Sequence, residues 1–442
     1  MTKVYIQTQG CSANTAESEL MMGLLQEAGY KIVDDLEYSD VNVINICTVK
    51  GNYTALREIK KLAEHYPDKK MIVAGCITRE LVNPIRKLNQ NAALINTHNF
   101  HKIVDAVEES IQGNALEALT QERELKVGKP KIRTNKVIGI IPIASGCADQ
   151  CAYCSVKLIK GKVFSYPEGH ILKEIEKNIA DGCREIWITS QDNGAYMVDK
   201  GERKLAKLLD KITKIDGDFK VRLGMLNPRH IPEMIDELIH VFQDDKMFKF
   251  LHIPIEAGNN EVLGKMNRKY TVYNFKEIVE RFRRYVKDIT IATDIIVGFP
   301  SETEAQFHDS LNLIQDIKPD VLNIARFSSR PNTVAAKMKD PVSGEKRKER
   351  SKMMTELFTQ ISLKNNQKWI GWKGKIIIDE YGKNKTFLGR NFAYKPIVVK
   401  GDYKLGDEIE VTVKDATTFH LRATPHGKDE NEELIQISTS LT

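Results

Sequence analysis

A chain of 442 residues exceeds what one hydrophobic core organises, so two or three domains are expected. Hydrophobic residues make up 41% and charged residues 29%, which agrees with a folded protein, and no run of about eighteen apolar residues is there to span a bilayer. The net charge of +6 hints at an anionic partner, although a mild basic excess is also an ordinary solubility device.

The opening MTKVYIQTQG has a strand pattern and lacks the apolar stretch and small-residue cleavage site of a signal peptide, so a soluble, cytoplasmic protein with no membrane association is expected. Over residues 1–112, apolar strands alternate with amphipathic helices, the pattern of a parallel sheet covered on both faces. The strands are expected at 3–9, 41–47, 70–76 and 93–97. In the helix between the first two, Leu20, Leu24 and Leu25 share a face, and Gly29 suits its end. Cys11, Cys47 and Cys76 each follow a strand by zero to two residues. Because the carboxyl ends of parallel strands open into one crevice, the three thiols are expected to meet there; the alternative is three isolated core cysteines. His98 and His101 have ligand-like spacing, but no third ligand is near, and His98 or Asn99 reads better as the start of a helix.

Residues 113–136 are polar, charged and punctuated by Gly and Pro, and read as a linker. A second strand–helix alternation, 137–368, has six strands starting near 137, 185, 220, 250, 290 and 321, with helices at 167–181 and 271–286. Six such units predict a partial or closed (β/α) barrel. A long amphipathic helix over 340–368 leads out of it. From 369 to 428, short strands between Gly, Asn and Asp turns predict a small all-β, OB-like barrel, and 429–442 reads as a tail. Basic residues outnumber acidic ones 11 to 7 over 370–428 and 11 to 4 over 337–375. With Phe387, Phe392, Tyr394 and Tyr403 interspersed, this region suits phosphate contact and base stacking, though some of these aromatics must fill the barrel.

Seven cysteines is an odd number, and clustered thiols in a large reduced-compartment protein are better explained as ligands or catalysts than as disulfides. Three of them, Cys147, Cys151 and Cys154, lie in the loop after the first barrel strand, at the rim where such barrels place their active sites. A closed zinc site wants four ligands and no partner pair follows; a redox pair has no use for a third thiol. An iron–sulfur cluster on three thiolates, with its fourth iron open, accounts for the spacing best, zinc or a structural role being the alternative. Cys183 lies at a helix-to-strand turn away from these and reads as structural.

The tripartite layout, the spread Cys11/Cys47/Cys76 set and SGCADQCAYCSV closely resemble the radical S-adenosylmethionine methylthiotransferases. The resemblance extends through HIPIEAGNNEVLGKMNRKYT and TDIIVGFPSETEAQF. TQGCSANTAESE, NICTVKGN, AGCITRE, EIWITSQDNGAY and LGMLNPRHI are similar to the archaeal–eukaryotic branch, which acts on N6-threonylcarbamoyladenosine at position 37 of tRNA. The resemblance implies two [4Fe–4S] clusters, one on Cys147, Cys151 and Cys154 binding S-adenosylmethionine at its open iron, the other on Cys11, Cys47 and Cys76 as sulfur carrier. In such enzymes S-adenosylmethionine is cleaved to a 5′-deoxyadenosyl radical, and a second S-adenosylmethionine methylates the sulfur that is transferred. It further implies a radical-SAM barrel, a C-terminal TRAM module for RNA, a tRNA anticodon stem-loop as partner, a reductant such as flavodoxin or ferredoxin, and a monomer. Tyr153 resembles the aromatic whose backbone meets the adenine. Glu256 and Asp294, at predicted strand ends, would face ribose hydroxyls or the sulfonium, Arg268 the methionyl carboxylate, and the VGFPSET turn the adenine, with Ser301 and Glu304 usable as a helix N-cap signature. Other acceptors within the class are isopentenyl-adenosine in tRNA and a ribosomal protein; outside it stands an iron–sulfur RNA-binding scaffold or sensor without catalysis.

Overall fold

The computed structural model describes residues 1–47 and 52–426, so the expected tail at 429–442 lies outside the described residues. The first unit is a six-stranded, all-parallel sheet in the order 31–32, 3–8, 41–46, 70–75, 93–96, 117–118. Its central strand Val41–Ile46 is buried throughout, as a strand covered on both faces must be. The helix Ser12–Glu27 packs Leu20, Met21 and Leu25 on one face of the sheet, and Ile59, Leu81 and Ile85 from the helices Asn52–His65 and Arg79–Leu88 cover the other. The stretch 113–136, expected as a linker, packs closely: Glu117–Ala118 adds the last strand, Val127 is buried and Ile132 N–H donates to Glu19 O at 3.0 Å.

The second unit carries two parallel three-stranded sheets, one of Ile138–Pro142, Glu185–Thr189 and Lys220–Leu223, the other of Phe250–His252, Thr290–Val297 and Val321–Arg326. A single bridge between Val221 and Met247 carries the curve from one to the other. Between the last strand and the first no ladder forms among the described residues, so the barrel is partial. Its helices turn apolar faces inward, with Phe275, Ile278 and Phe282 of Val272–Tyr285 buried behind Thr271, whose side chain accepts from Asn274 N in a capping box. The cap after the VGFP turn falls on Thr303 with Gln306 rather than on Ser301 with Glu304. Ser301 lies at φ 61°, outside the helix, and Thr303 Oγ1 accepts from Gln306 N at 3.2 Å. The helix Gly344–Gln367 is tied to this turn by buried Arg350, which donates to Glu302 Oε2 at 2.7 Å.

Residues 373–425 form a closed five-stranded barrel in the order Lys373–Tyr381, Thr386–Arg390, Pro396–Lys400, Leu421–Pro425, Glu408–Ala416. It sits beneath the central unit, at the amino ends of the strands. There Lys249 N–H donates to Phe392 O at 2.8 Å and Lys395 pairs with Asp320 at 2.8 Å. Tyr394 enters between Phe248, Phe250 and Trp187, with ring centroids 4.8, 5.2 and 6.5 Å away, and the guanidiniums of Arg222 and Arg390 lie over its ring. This corrects the reading of the interspersed aromatics as a stacking surface. Tyr394 and Phe387 are buried, Phe392 rests against Trp369 and Trp372, and Tyr403 rests against Phe387, whereas Tyr381 and Phe419 are the exposed rings. No described helix is long and apolar enough to cross a membrane.

Tyr394→Ala removes a large buried side chain from this joint, and the cavity left behind should cost about 3–5 kcal/mol. Chemical denaturation followed by Trp fluorescence checks this; a loss under about 1 kcal/mol would contradict the packing described.

Candidate active site

The three strands that deliver Cys11, Cys47 and Cys76 are direct neighbours in the parallel sheet, so their carboxyl ends, and the cysteines just beyond, share one edge. Close approach there requires Gly10, at φ 137°: a Cβ at this position would lie 2.7 Å from Cys47 Cβ. An amide lattice fixes the edge. Asn14 Nδ2 donates to Asn45 Oδ1 and Ile46 O, Asn45 Nδ2 returns to Asn14 O at 2.9 Å, and Cys11 Sγ lies 3.4 Å from Asn14 Oδ1. Cys47 and Cys76 are buried and Cys11 is exposed. Burial pushes the Cys76 thiol up to about 12, with the Lys160 charge opposing and the charges of Glu17, Cys47 and Cys11 adding to the rise.

The second triplet lies in the loop after Ile138–Pro142. Gly146, at φ 76°, starts it where a Cβ would meet Lys162 O at 2.2 Å. The loop is stitched down by Cys147 N–H to Gly161 O (3.2 Å), Ala152 N–H to Met266 O (2.8 Å) and Ala335 N–H to Ala152 O (2.8 Å). Burial pushes Cys147 up to about 12 and Cys154 to about 11. Cys151 is raised by burial too, but Arg268 opposes the rise, its NH1 donating to Cys151 Sγ at 3.1 Å. The other donors of Arg268 go to Tyr270 OH (2.6 Å) and Pro254 O (3.2 Å). Three of its five N–H groups are engaged in this way.

Tyr153, Glu256, Arg268 and Asp294 converge around this loop. Tyr153 OH donates to Glu256 Oε1 at 2.7 Å. Glu256 stands at φ 73°, a conformation rare outside glycine, held by its bridge to Ile295. Burial raises the Glu256 carboxyl, with Arg268 opposing. Asp294 goes the other way: burial would raise it, but hydrogen bonds from His252 and Asn323 hold it below the ordinary value.

A neighbouring polar group went without a role in the sequence reading although its segments, EIWITSQDNGAY and LGMLNPRHI, stood out. Asp149, between Cys147 and Cys151, accepts from Asn227 and Arg229. Asp192 accepts from Gly194 N and Asn227 N, and its other oxygen faces His230 Nε2 at 3.3 Å. Arg203 donates to His230 Nδ1 at 2.6 Å, which places the ring hydrogen on Nε2, and neither Nε2 nor Asp192 Oδ2 makes a hydrogen bond. Asp149, Asp192 and His230 lie close enough to suggest a cation site, but an imidazole whose Nε2 carries hydrogen is no ligand there. Asn227, bonded to both Asp149 and Asp192, makes a hydrogen-bonded brace behind the Cys147 loop.

The two cysteine-bearing rims face each other across a tight joint. Glu17, two turns after Cys11, accepts at Oε1 from Lys126 Nζ (2.6 Å), Lys160 Nζ (2.8 Å) and Thr97 Oγ1 (2.8 Å). Ser12 Oγ meets Thr189 Oγ1 at 2.9 Å, and His98 Nε2 lies 2.8 Å from Ile159 O. A cavity of only about 10 Å³ is left there, bordered by Ala13, Glu17, Lys160 and Thr189, room for about one water. Asn99 stands at the start of the short helix Phe100–Lys102, and His101 pairs with Glu124, so neither histidine of that segment joins a ligand set. Cys183 is buried, its Sγ 3.8 Å from Lys136 O.

Residues 141–314 match the radical SAM superfamily, and residues 3–96 match the family described as uncharacterized protein family UPF0004. The chain is 39% identical to a probable threonylcarbamoyladenosine tRNA methylthiotransferase of Pyrococcus horikoshii, over 95% of this chain and 99% of that one. It is 38% identical to the corresponding protein of Archaeoglobus fulgidus (95% and 97% covered) and 32% identical to the threonylcarbamoyladenosine tRNA methylthiotransferase of Homo sapiens (96% and 74%). Among solved structures, the cobalamin-dependent S-adenosylmethionine radical enzyme OxsB superposes with a TM-score of 0.51 at 11% identity, over 81% of this chain and 56% of that one, a likeness of fold. The chain belongs to the threonylcarbamoyladenosine tRNA methylthiotransferase family, and so to the radical SAM enzymes that use S-adenosylmethionine and a [4Fe–4S] cluster.

The donor sets fit such clusters. Each site offers three sulfurs, and the buried Cys76 and part-buried Cys147 thiols, protonated by themselves at neutral pH, are the kind a metal holds as thiolates. In metal-free protein at pH 8, iodoacetamide should therefore modify exposed Cys11 readily and Cys147 and Cys76 only slowly, with the latter rates rising steeply as pH climbs toward 12. Peptide mass spectrometry reads the rates; equal rates for Cys147 and Cys11 at pH 8 would contradict the burial.

Proposed function

We propose that this chain converts N6-threonylcarbamoyladenosine at position 37 of tRNA to its 2-methylthio derivative, with one [4Fe–4S] cluster held by Cys147, Cys151 and Cys154 and a second by Cys11, Cys47 and Cys76. The observation that carries the reading is the placement of two cysteine triplets on facing rims of two units locked by one buried carboxylate. Bound there, the clusters and S-adenosylmethionine supply the one-electron chemistry that an aromatic C2–H demands, since it offers neither an acidic proton nor a leaving group.

The chain's own residues bind, orient and exclude water. Arg268 sets its positive charge on Cys151 and so steadies the thiolate, while Tyr270 and Pro254 keep the guanidinium plane fixed. Tyr153 locks the Glu256 carboxyl, and Asp294, held ionised by His252 and Asn323, is the acceptor suited to ribose hydroxyls of S-adenosylmethionine. The basic helix Gly344–Gln367 and the C-terminal barrel, with Tyr381 and Phe419 exposed, offer phosphate and base contacts to the anticodon stem-loop as a TRAM-type module. The working enzyme is a cytoplasmic monomer, reduced by a flavodoxin or ferredoxin.

Mass spectrometry of nucleosides from tRNA incubated with the anaerobically reconstituted protein, S-adenosylmethionine, sulfide and a reductant tests this. Conversion of N6-threonylcarbamoyladenosine to its 2-methylthio form is expected. Unchanged nucleoside, or methylthiolation of isopentenyl-adenosine instead, overturns the substrate assignment.

A further inference from the structure

Glu17, Lys126 and Lys160 bring two ammonium groups and one carboxylate together in a buried space. Lys160 is 7% and Glu17 4% exposed. The lysines come from different segments, Lys126 from the stretch joining the first two units and Lys160 from the end of the short helix that follows the Cys147–Cys154 loop. Both reach Glu17 Oε1, and both also lie 3.1 Å from Thr97 Oγ1, so one carboxylate is shared by two cations. Counted as one carboxylate and two ammoniums, the group carries one positive charge in excess, which burial opposes by pushing the Lys126 ammonium below its ordinary value. An isolated buried ammonium is costly enough that such groups ordinarily pair or neutralise. The direction in which the excess acts is visible in the surroundings. Asn96 pairs with Gly75 in the sheet, so Thr97 stands beside Cys76 at the sheet edge, and the Thr97 hydroxyl that Lys160 Nζ reaches at 3.1 Å places the ammonium at the cysteine-bearing rim.

We infer that Lys160, seconded by Lys126, is a positioning residue for the Cys11/Cys47/Cys76 site, where its charge compensates the anionic thiolate set and favours the electron-rich state of the cluster bound there. The inference rests on the proposed assignment of a cluster to these three cysteines. A [4Fe–4S] cluster on three thiolates gains a unit of negative charge on reduction, and a fixed cation lowers the free energy of that more anionic state. Because Lys160 is supplied by the radical-SAM unit and Cys11, Cys47 and Cys76 by the first unit, the electronics of this site depend on the two units being docked. The same cation would favour an anionic sulfur ligand at the open position.

The test uses the full chain with Cys147, Cys151 and Cys154 replaced by Ala, so that one site remains. Iron is counted first, with about four per chain expected for one cluster. Its absence sinks the cluster assignment rather than the present inference. The reduction potential of the loaded protein is then measured by EPR-monitored titration with and without Lys160→Met, Lys160→Arg and Lys126→Met. The methionine variants should lower the potential by at least a tenfold change in the reduction equilibrium, about 59 mV for one electron, while Lys160→Arg, which keeps the charge, stays near the parent. Iron lost in Lys160→Met but kept in Lys160→Arg also supports the charge role. An unmoved potential in a methionine variant that holds its iron, or the same loss of iron or potential in Lys160→Arg as in Lys160→Met, overturns it.

Discussion

Burying a carboxylate costs several kcal/mol unless cations and hydrogen-bond donors meet it, and removing one partner of such a set is correspondingly damaging. Glu17 is met by three donors from three segments: Thr97 from the loop after Ala93–Asn96, Lys126 from the joining stretch and Lys160 from the barrel unit. The two lysines hold its carboxyl down to about 2 against the effect of burial. Glu17 therefore stays ionised over the whole physiological range; the stabilisation its pairing supplies is present above the ordinary Glu value and is lost as pH falls toward 2. Everything else about the site follows from this anchoring, because it fixes the rim carrying Cys11, Cys47 and Cys76 against the rim carrying Cys147, Cys151 and Cys154.

Within each rim, geometry is set by backbone more than by side chains. Adjacent parallel strands end at one edge, so cysteines placed just after three neighbouring strands are gathered without any long-range folding of loops. The barrel triplet needs a tighter device: a left-handed glycine start, a turn closed by Cys154 N–H to Cys151 O at 3.1 Å, and outside carbonyls that take up the loop's free N–H groups. The Asp149–Asn227–Asp192 brace holds that loop from behind. At the opposite end of the barrel, Tyr394 and the cations over its ring close off the floor.

Much of this was legible in the sequence, for identifiable reasons. The strands were marked by apolar runs, and Cys11, Cys47 and Cys76 by their closeness to strand ends, a signal that needs only local pattern and the rule for parallel sheets. What was not legible lies between residues far apart in the chain. Nothing near Lys160 announces that it will be buried against Glu17, 143 positions away, and a lysine in a short polar helix ordinarily faces water. Tyr394 looked like a stacking ring because its partners Phe248, Phe250 and Trp187 come from another unit. Arg268 also touches Cys151, a contact that sequence spacing does not encode. His230 and Asp192 had a usable signal, a polar stretch directly after each of two apolar strands, yet their roles emerge only once the two strands are seen as neighbours.

Under the proposed function, the two cysteine triplets each hold a cluster and serve one nucleoside between them. EPR spectroscopy of the fully reduced protein measures this most directly, comparing the chain loaded at both sites with variants loaded at one site alone. Spectra of the doubly loaded chain broadened by coupling between the two centres are predicted; a spectrum that is simply the sum of the two single-site spectra, with unchanged relaxation, would contradict it.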